Sequence, residues 1–210
     1  MNDSFDAYYV ESAAAKAFDR PEPRAVPTAV MPADLDAIYT FWFGCEGEGR
    51  AEHLDGDRIR LWMVQSDEMD AEVGRRFAQM LPVASRMSWD TKVLTPRQAV
   101  GLVVLFDQVP RNLHRTSGDA FRYDGLARDI TTKLCPRAGD YTVAERFILA
   151  LPFVHHEDER SQDIALMIAA REAVEATDET DRVHLRIAVD QATRHRDLIR
   201  RFGRFPHRNA

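Results

Sequence analysis

Three stretches of this chain hold side chains able to do acid–base or anion-binding chemistry. The first, LVVLFDQVPRNLHR (102–115), crowds Asp107, Arg111, Asn112 and Arg115 around a proline. An arginine and a carboxylate so placed either lock a turn or present a guanidinium fork to an anionic ligand. Asn112 has the short polar side chain favoured in turns and caps. The second, LPFVHHEDERSQ (151–162), offers His155, His156, Glu157 and Gln162. Imidazole and carboxylate are the usual proton carriers and metal ligands. A metal site is not expected, because the paired-histidine helix motif needs a second histidine where Arg160 stands, and residues two apart do not share a helix face. Glu157 also suits a helix start, where the macrodipole favours an acid. The third stretch, HRDLIRRFGRFPHRN (195–209), carries His195, Arg201, Arg204, His207 and Arg208 around Gly203. Arg201, Arg204 and Arg208 are the leading anion-binding candidates there, while His195 shares a helical face with Gln191, Ile199 and Phe202. His184 and His195 lie ~16 Å apart along one helix and cannot chelate one ion.

The elements that must hold these groups are helices. Leu35, Ile38, Tyr39 and Trp42 share one helical face, with Gly44 just beyond. Gly44 to Gly56 is glycine-rich and acidic, without the lysine of a phosphate loop. Apolar spacing predicts two helices or one kinked helix between Asp57 and Arg86, with a break near Ser66 and strain at Pro82. Thr95-Pro96-Arg97-Gln98 combines an N-cap, a first-turn proline and a capping-box glutamine ahead of AVGLVVLF. That helix should end at Asp107, with a turn at Pro110. Further helices are expected over Asp119–Leu134, from Thr142 to a stop at Pro152, over Glu157–Ala176, and over Glu179–Phe202 with a stop at Gly203. No segment alternates with period two over strand length. The fold class is therefore all-α, with short loops that favour antiparallel hairpins.

The three stretches together resemble the bacterial domain-of-unknown-function 924 family. Its members carry a leucine-rich helix ending in Asp-Gln-x-Pro-Arg-Asn, a Pro-x-x-His-Ser-Glu block, and Arg-Phe-Gly-Arg-Phe-Pro-His-Arg-Asn near the C-terminus. The resemblance extends over about residues 34–210 and implies hairpins stacked in a tetratricopeptide-like superhelix. It implies no activity. His156 departs from the family's usual serine, and the chain stops at Ala210, ahead of a stretch that usually follows; a missing tail is expected to leave a cleft uncovered.

Composition bounds the remaining possibilities. The 210 residues suit one domain, here 32–210, preceded by a proline-containing arm over 1–31 with a possible short helix at Tyr8–Phe18. No apolar run is long enough to span a bilayer, and the acidic N-terminus does not resemble a secretory signal, so a cytoplasmic location is expected. The two cysteines, Cys45 and Cys135, make no disulfide framework. A net charge of −6 argues against nucleic-acid binding, although the segment from Arg194 to Arg208 is basic. No cofactor fingerprint or nucleophile elbow occurs.

Three functional expectations follow. One is a groove that gathers the three stretches around a small anionic molecule or peptide carboxylate. Another is an enzyme with His155 or His195 as acid or base, oriented by Glu157 or Asp107, with arginines stabilising a developing anion. The third is a protein–protein scaffold in which the stretches are structural locks.

Overall fold

The computed structural model describes residues 27–208, apart from the side chain of His207. The proposed N-terminal arm lies largely, and its short helix wholly, outside the described residues. Those described form helices and no strand: α1 (Pro32–Phe43), α2 (Gly56–Met63), α3 (Asp67–Phe77), α4 (Leu81–Ala84), α5 (Pro96–Asp107), α6 (Val109–Leu113), α7 (Asp124–Leu134), α8 (Val143–His155), α9 (Glu159–Glu175) and α10 (Glu179–Phe202), with short 3-10 turns between some of them. None is long and apolar enough to cross a membrane.

At the centre lies α5. Every residue from Ala99 to Asp107 is buried, as expected of a helix that is apolar on all sides. Its start is specified locally, since Thr95 accepts from the Gln98 N–H, and the Gln98 side chain accepts in turn from the Thr95 N–H. α1, α7 and α8 pack around it. Gly101 permits the closest of these approaches, for a Cβ there would stand 2.2 Å from the Leu35 carbonyl oxygen of α1.

α8 is anchored at its N-terminal end, which matters because its other end carries His155. Thr142 and Glu145 form the expected capping box. The buried Glu145 carboxylate also accepts from the Tyr39 hydroxyl at 2.7 Å and from Arg50, while Thr142 donates to the Ala51 carbonyl. A charge taken out of water is tolerable only with this degree of compensation. The loop between α1 and α2 is thereby tied to the start of α8.

Several boundaries differ from the sequence expectation. Pro110 does not force a turn; it opens α6, because a proline in the first turn sacrifices no helical hydrogen bond. Pro152 does not end α8, which continues for another turn to His155. The Asp57–Arg86 region resolves into α2, α3 and α4, with Pro82 in the first turn of α4. Finally, α9 starts at Glu159 with Asp158 as its N-cap, so Glu157 lies outside the helix and is not its dipole-favoured acid.

The close approach at Gly101 yields a test. Gly101→Ala forces α1 and α5 apart and destabilises the protein by about 1–3 kcal/mol, the usual cost of overpacking, measurable by urea denaturation.

Candidate functional site

Asp107 is the last residue of α5 and is buried. A carboxylate at a helix C-terminus opposes the macrodipole, and burial removes its water, so it needs strong partners. Gln108 donates to Oδ2 at 2.6 Å, and Arg111, one helical turn on, lies 3.3 Å from Oδ1. The third partner comes from α8, where His155 Nδ1 stands 2.9 Å from both carboxylate oxygens. Burial alone would raise the Asp107 carboxyl; Arg111 and then His155 reverse that and hold it at about 2. The carboxylate is thus ionised, and Nδ1 of His155 is the donor.

Burial, and then the charge of Arg111, push the His155 imidazole below its ordinary value, with Asp107 pulling the other way. A neutral ring that spends its proton on Asp107 has Nε2 as a lone-pair acceptor. His155 lines a cavity of about 310 Å³ together with Phe121, Asp124, Gly125, His156, Glu157 and Arg208. Nε2 accepts no hydrogen bond from any described residue.

The backbone that carries His155 is held from two sides. The end of α8 leaves carbonyls without helical partners. The fully buried side-chain nitrogen of Gln162 lies 3.2, 2.9 and 2.7 Å from the carbonyl oxygens of Phe153, Val154 and His156. Arg208 donates to the fourth, that of His155, at 2.7 Å, and a cation suits this end of a helix. The guanidinium of Arg208 also lies over the rings of Phe121 and Phe205, 4.5 and 4.6 Å from their centroids. Glu157 completes the clasp by accepting from the Phe205 N–H at 2.9 Å.

The structure thus brings Asp107, Arg111, His155, Glu157, Gln162 and Arg208 to one place. The other candidates go elsewhere. Asn112 and Arg115 both bind Asp70 and fasten α6 to α3. Arg201 and Arg204 are exposed and do not line the cavity. His195 packs edge-on against Phe205, 4.9 Å between ring centroids, which places it behind the C-terminal clasp. The side chain of His207 lies outside the described residues.

Phe121, Asp124 and Gly125 line the cavity and are no part of the candidate site read from the sequence. Phe121 and Asp124 sit near the start of α7, where an acid resembles any other acid in a first helical turn. Asp124 Oδ2 accepts from Arg111 at 2.9 Å. Its Oδ1 is enclosed and takes no hydrogen bond.

Among the described residues, the cluster with metal-ligand geometry is His53, Asp178 and Asp181, none of which lines this cavity. Asp178 there serves as the N-cap of α10, and Asp181 pairs with His53 and accepts from the Leu54 N–H.

Two outcomes test this assembly. Asp107→Asn removes the charge that supports the imidazolium, so the His155 pKa falls further below its ordinary value in an NMR titration. Gln162→Leu leaves the carbonyls at the end of α8 unsatisfied and costs about 1–3 kcal/mol in a denaturant melt, the range for buried groups stripped of a partner.

No curated protein matches the chain. A solved structure described as a protein of unknown function, ATU0120 from Agrobacterium tumefaciens, is similar to it with a TM-score of 0.65 and 25% identity, covering 85% of this chain and 90% of the other. The family described as "Bacterial protein of unknown function (DUF924)" matches residues 38–210, a span that contains every cavity residue named above, and the chain belongs to that family.

Proposed function

We propose that the cavity between α7, α8 and the C-terminal clasp is a small-molecule site in which His155 acts as a general base. The observation that carries this reading is the pairing of His155 Nδ1 with the ionised, buried Asp107 at the wall of an open cavity. A carboxylate behind an imidazole fixes the tautomer and stabilises the imidazolium formed when Nε2 takes a proton. The depressed pKa of His155 keeps the ring in its basic form at neutral pH. Arg208, which lines the cavity, is placed to offset negative charge developing on a ligand. The volume of about 310 Å³ suits a compact metabolite or the end of a peptide. On this reading the helices are stacked hairpins of tetratricopeptide-like kind, and the polar side chains at their ends supply the site.

The reading centred on anion binding by Arg111, Arg201, Arg204 and Arg208 has less support. Arg111 is spent on Asp107 and Asp124, Arg208 gives one amino group to a carbonyl, and the other two lie off the cavity.

The test is an activity screen over hydrolytic, isomerising and eliminating reactions, run across a pH series. A His155-dependent turnover is expected, with His155→Gln reducing kcat by about 10²–10⁴-fold, the contribution typical of a positioned base. The sign of the pH dependence follows from the depressed pKa. Protonation of His155 removes the base, so kcat/KM is at its plateau near neutrality and declines only as pH falls through a value below 6.5. A turnover indifferent to His155→Gln, or a blank screen, overturns the proposal.

A further inference from the structure

α9 turns small and polar residues inward and leaves its large apolar ones outside. Its buried positions are Ser161, Gln162, Ala165, Ala169 and Glu172, whereas Ile164 is half-buried and Met167 and Val174 are 63% and 85% exposed. Met167 and Val174, seven residues apart, share the side of the helix opposite Ala165 and Ala169. α10 follows the same pattern. It buries Leu185, Ala192 and Ile199, while Val183, Ile187 and Leu198 are half-buried and Phe202 is 48% exposed. These last four fall on one helical stripe beside the buried face. Among the described residues, the core takes only Ala173, Ala176, Leu185 and Ala188 from this hairpin. An amphipathic helix ordinarily buries its largest apolar side chains, and a group of them left outside marks a surface that another molecule covers.

The size of this face and the charges around it indicate what covers it. α10 has 24 residues and is therefore ~36 Å long, and two helices side by side are ~20 Å across. The face thus offers ~700 Å² per copy, close to the ~800 Å² that each partner gives to a standard interface. Charge is divided between the two ends of α10. At its C-terminal end Arg201 and Arg204 are exposed and pair with no described acid, and the Arg201 guanidinium lies over the Phe202 ring. At its start sits the loop carrying Glu52, followed by Asp57 in the first turn of α2, both exposed; the Leu54 N–H fastens this loop to Asp181. Both ends open to the same side of α10. Gly56 lies against His184, which shares a helical face with Leu198 and Phe202. A covering surface must carry an apolar stripe with acids opposite Arg201 and Arg204 and cations opposite Glu52 and Asp57. A second copy of this chain, laid antiparallel, has that order of groups.

We infer that the α9–α10 face is a two-fold homodimer interface in which α10 packs antiparallel to its symmetry mate. In such an isologous contact each pairing occurs twice, so the basic end of each copy meets the acidic end of the other at both edges of the apolar centre. A parallel arrangement sets the two basic ends side by side, where like charges repel. The inference is independent of the chemistry proposed for the His155 cavity.

Sedimentation equilibrium of the full chain tests it. A reversible dimer of 24.0 kDa chains is expected, weakened by added salt, which screens the end charges. Met167→Glu and Val174→Glu, both at exposed positions, should each weaken association by at least ~10-fold, equal to about 1.4 kcal/mol. Thermal melts confirm that these variants stay folded. Arg201→Glu with Arg204→Glu should weaken it as well, and adding Glu52→Arg with Asp57→Arg should restore it, since the antiparallel order pairs these ends. A monomer at every concentration overturns the inference and leaves the face to a different protein. A dimer indifferent to Met167→Glu and Val174→Glu overturns it by placing the contact elsewhere. A dimer weakened by the arginine changes and not restored by the acid changes overturns the antiparallel order.

Discussion

A single ionised carboxylate buried at the wrong end of a helix governs the arrangement of this protein's polar interior. Asp107 closes α5, where the backbone carbonyls already concentrate negative charge, and has almost no access to water. An isolated charge in that position would protonate or pull its helix apart. Instead it recruits Gln108 and Arg111 from the next turn of chain and His155 from α8. Arg111 in turn reaches Asp124 on α7. The ends of α5, α7 and α8 are therefore held together by one charge and the groups that neutralise it, and the cavity opens where those ends meet.

The rest of the chain works to keep His155 within reach of that carboxylate. The Thr142 and Glu145 capping box, with Tyr39 and Arg50, fixes the start of α8. Gln162 from α9 and Arg208 from beyond α10 take up the carbonyls at its other end. Such backing differs from simple stabilisation. A buried ion pair is weak evidence for stability in itself, since apolar residues of similar size often serve as well. A carboxylate behind a neutral imidazole with one nitrogen facing a cavity is the costlier solution, and the acid–base role proposed above is one that would use it.

Much of this was legible in the residues. Helix starts with complete chemical signatures, such as Thr95-Pro96-Arg97-Gln98 and Thr142 with Glu145, appear where the sequence places them, as does the glycine stop at Gly203. The prolines were the weak point, since the same residue can end a helix, open one or sit within one. Pro110 opens α6 and Pro152 lies inside α8, and the difference depends on which carbonyls tertiary partners can satisfy. Glu157 stays outside the helix for a related reason, because Asp158 next to it is the better cap and accepts from the Ser161 N–H.

The site was legible in part, and the division has a physical basis. Asp107 and His155 were marked by belonging to polar stretches that helical periodicity does not explain. Their pairing spans 48 residues of sequence, and no local spacing encodes it. Asp124 carried no mark at all, being an acid in the first turn of a helix, where helix electrostatics already accounts for an acid. Only the packing of α7 against α8 and the return of Arg208 reveal that one of its oxygens has no donor. The same geometry changes the meaning of the arginines. In the sequence Arg208 stands as an anion-binding candidate and Arg111 as either that or the lock of a turn. Set among Asp107, Asp124 and Glu157, Arg111 is a counterion already in use, whereas Arg208 spends one nitrogen on the His155 carbonyl and lies 3.9 Å from Asp124 and Glu157.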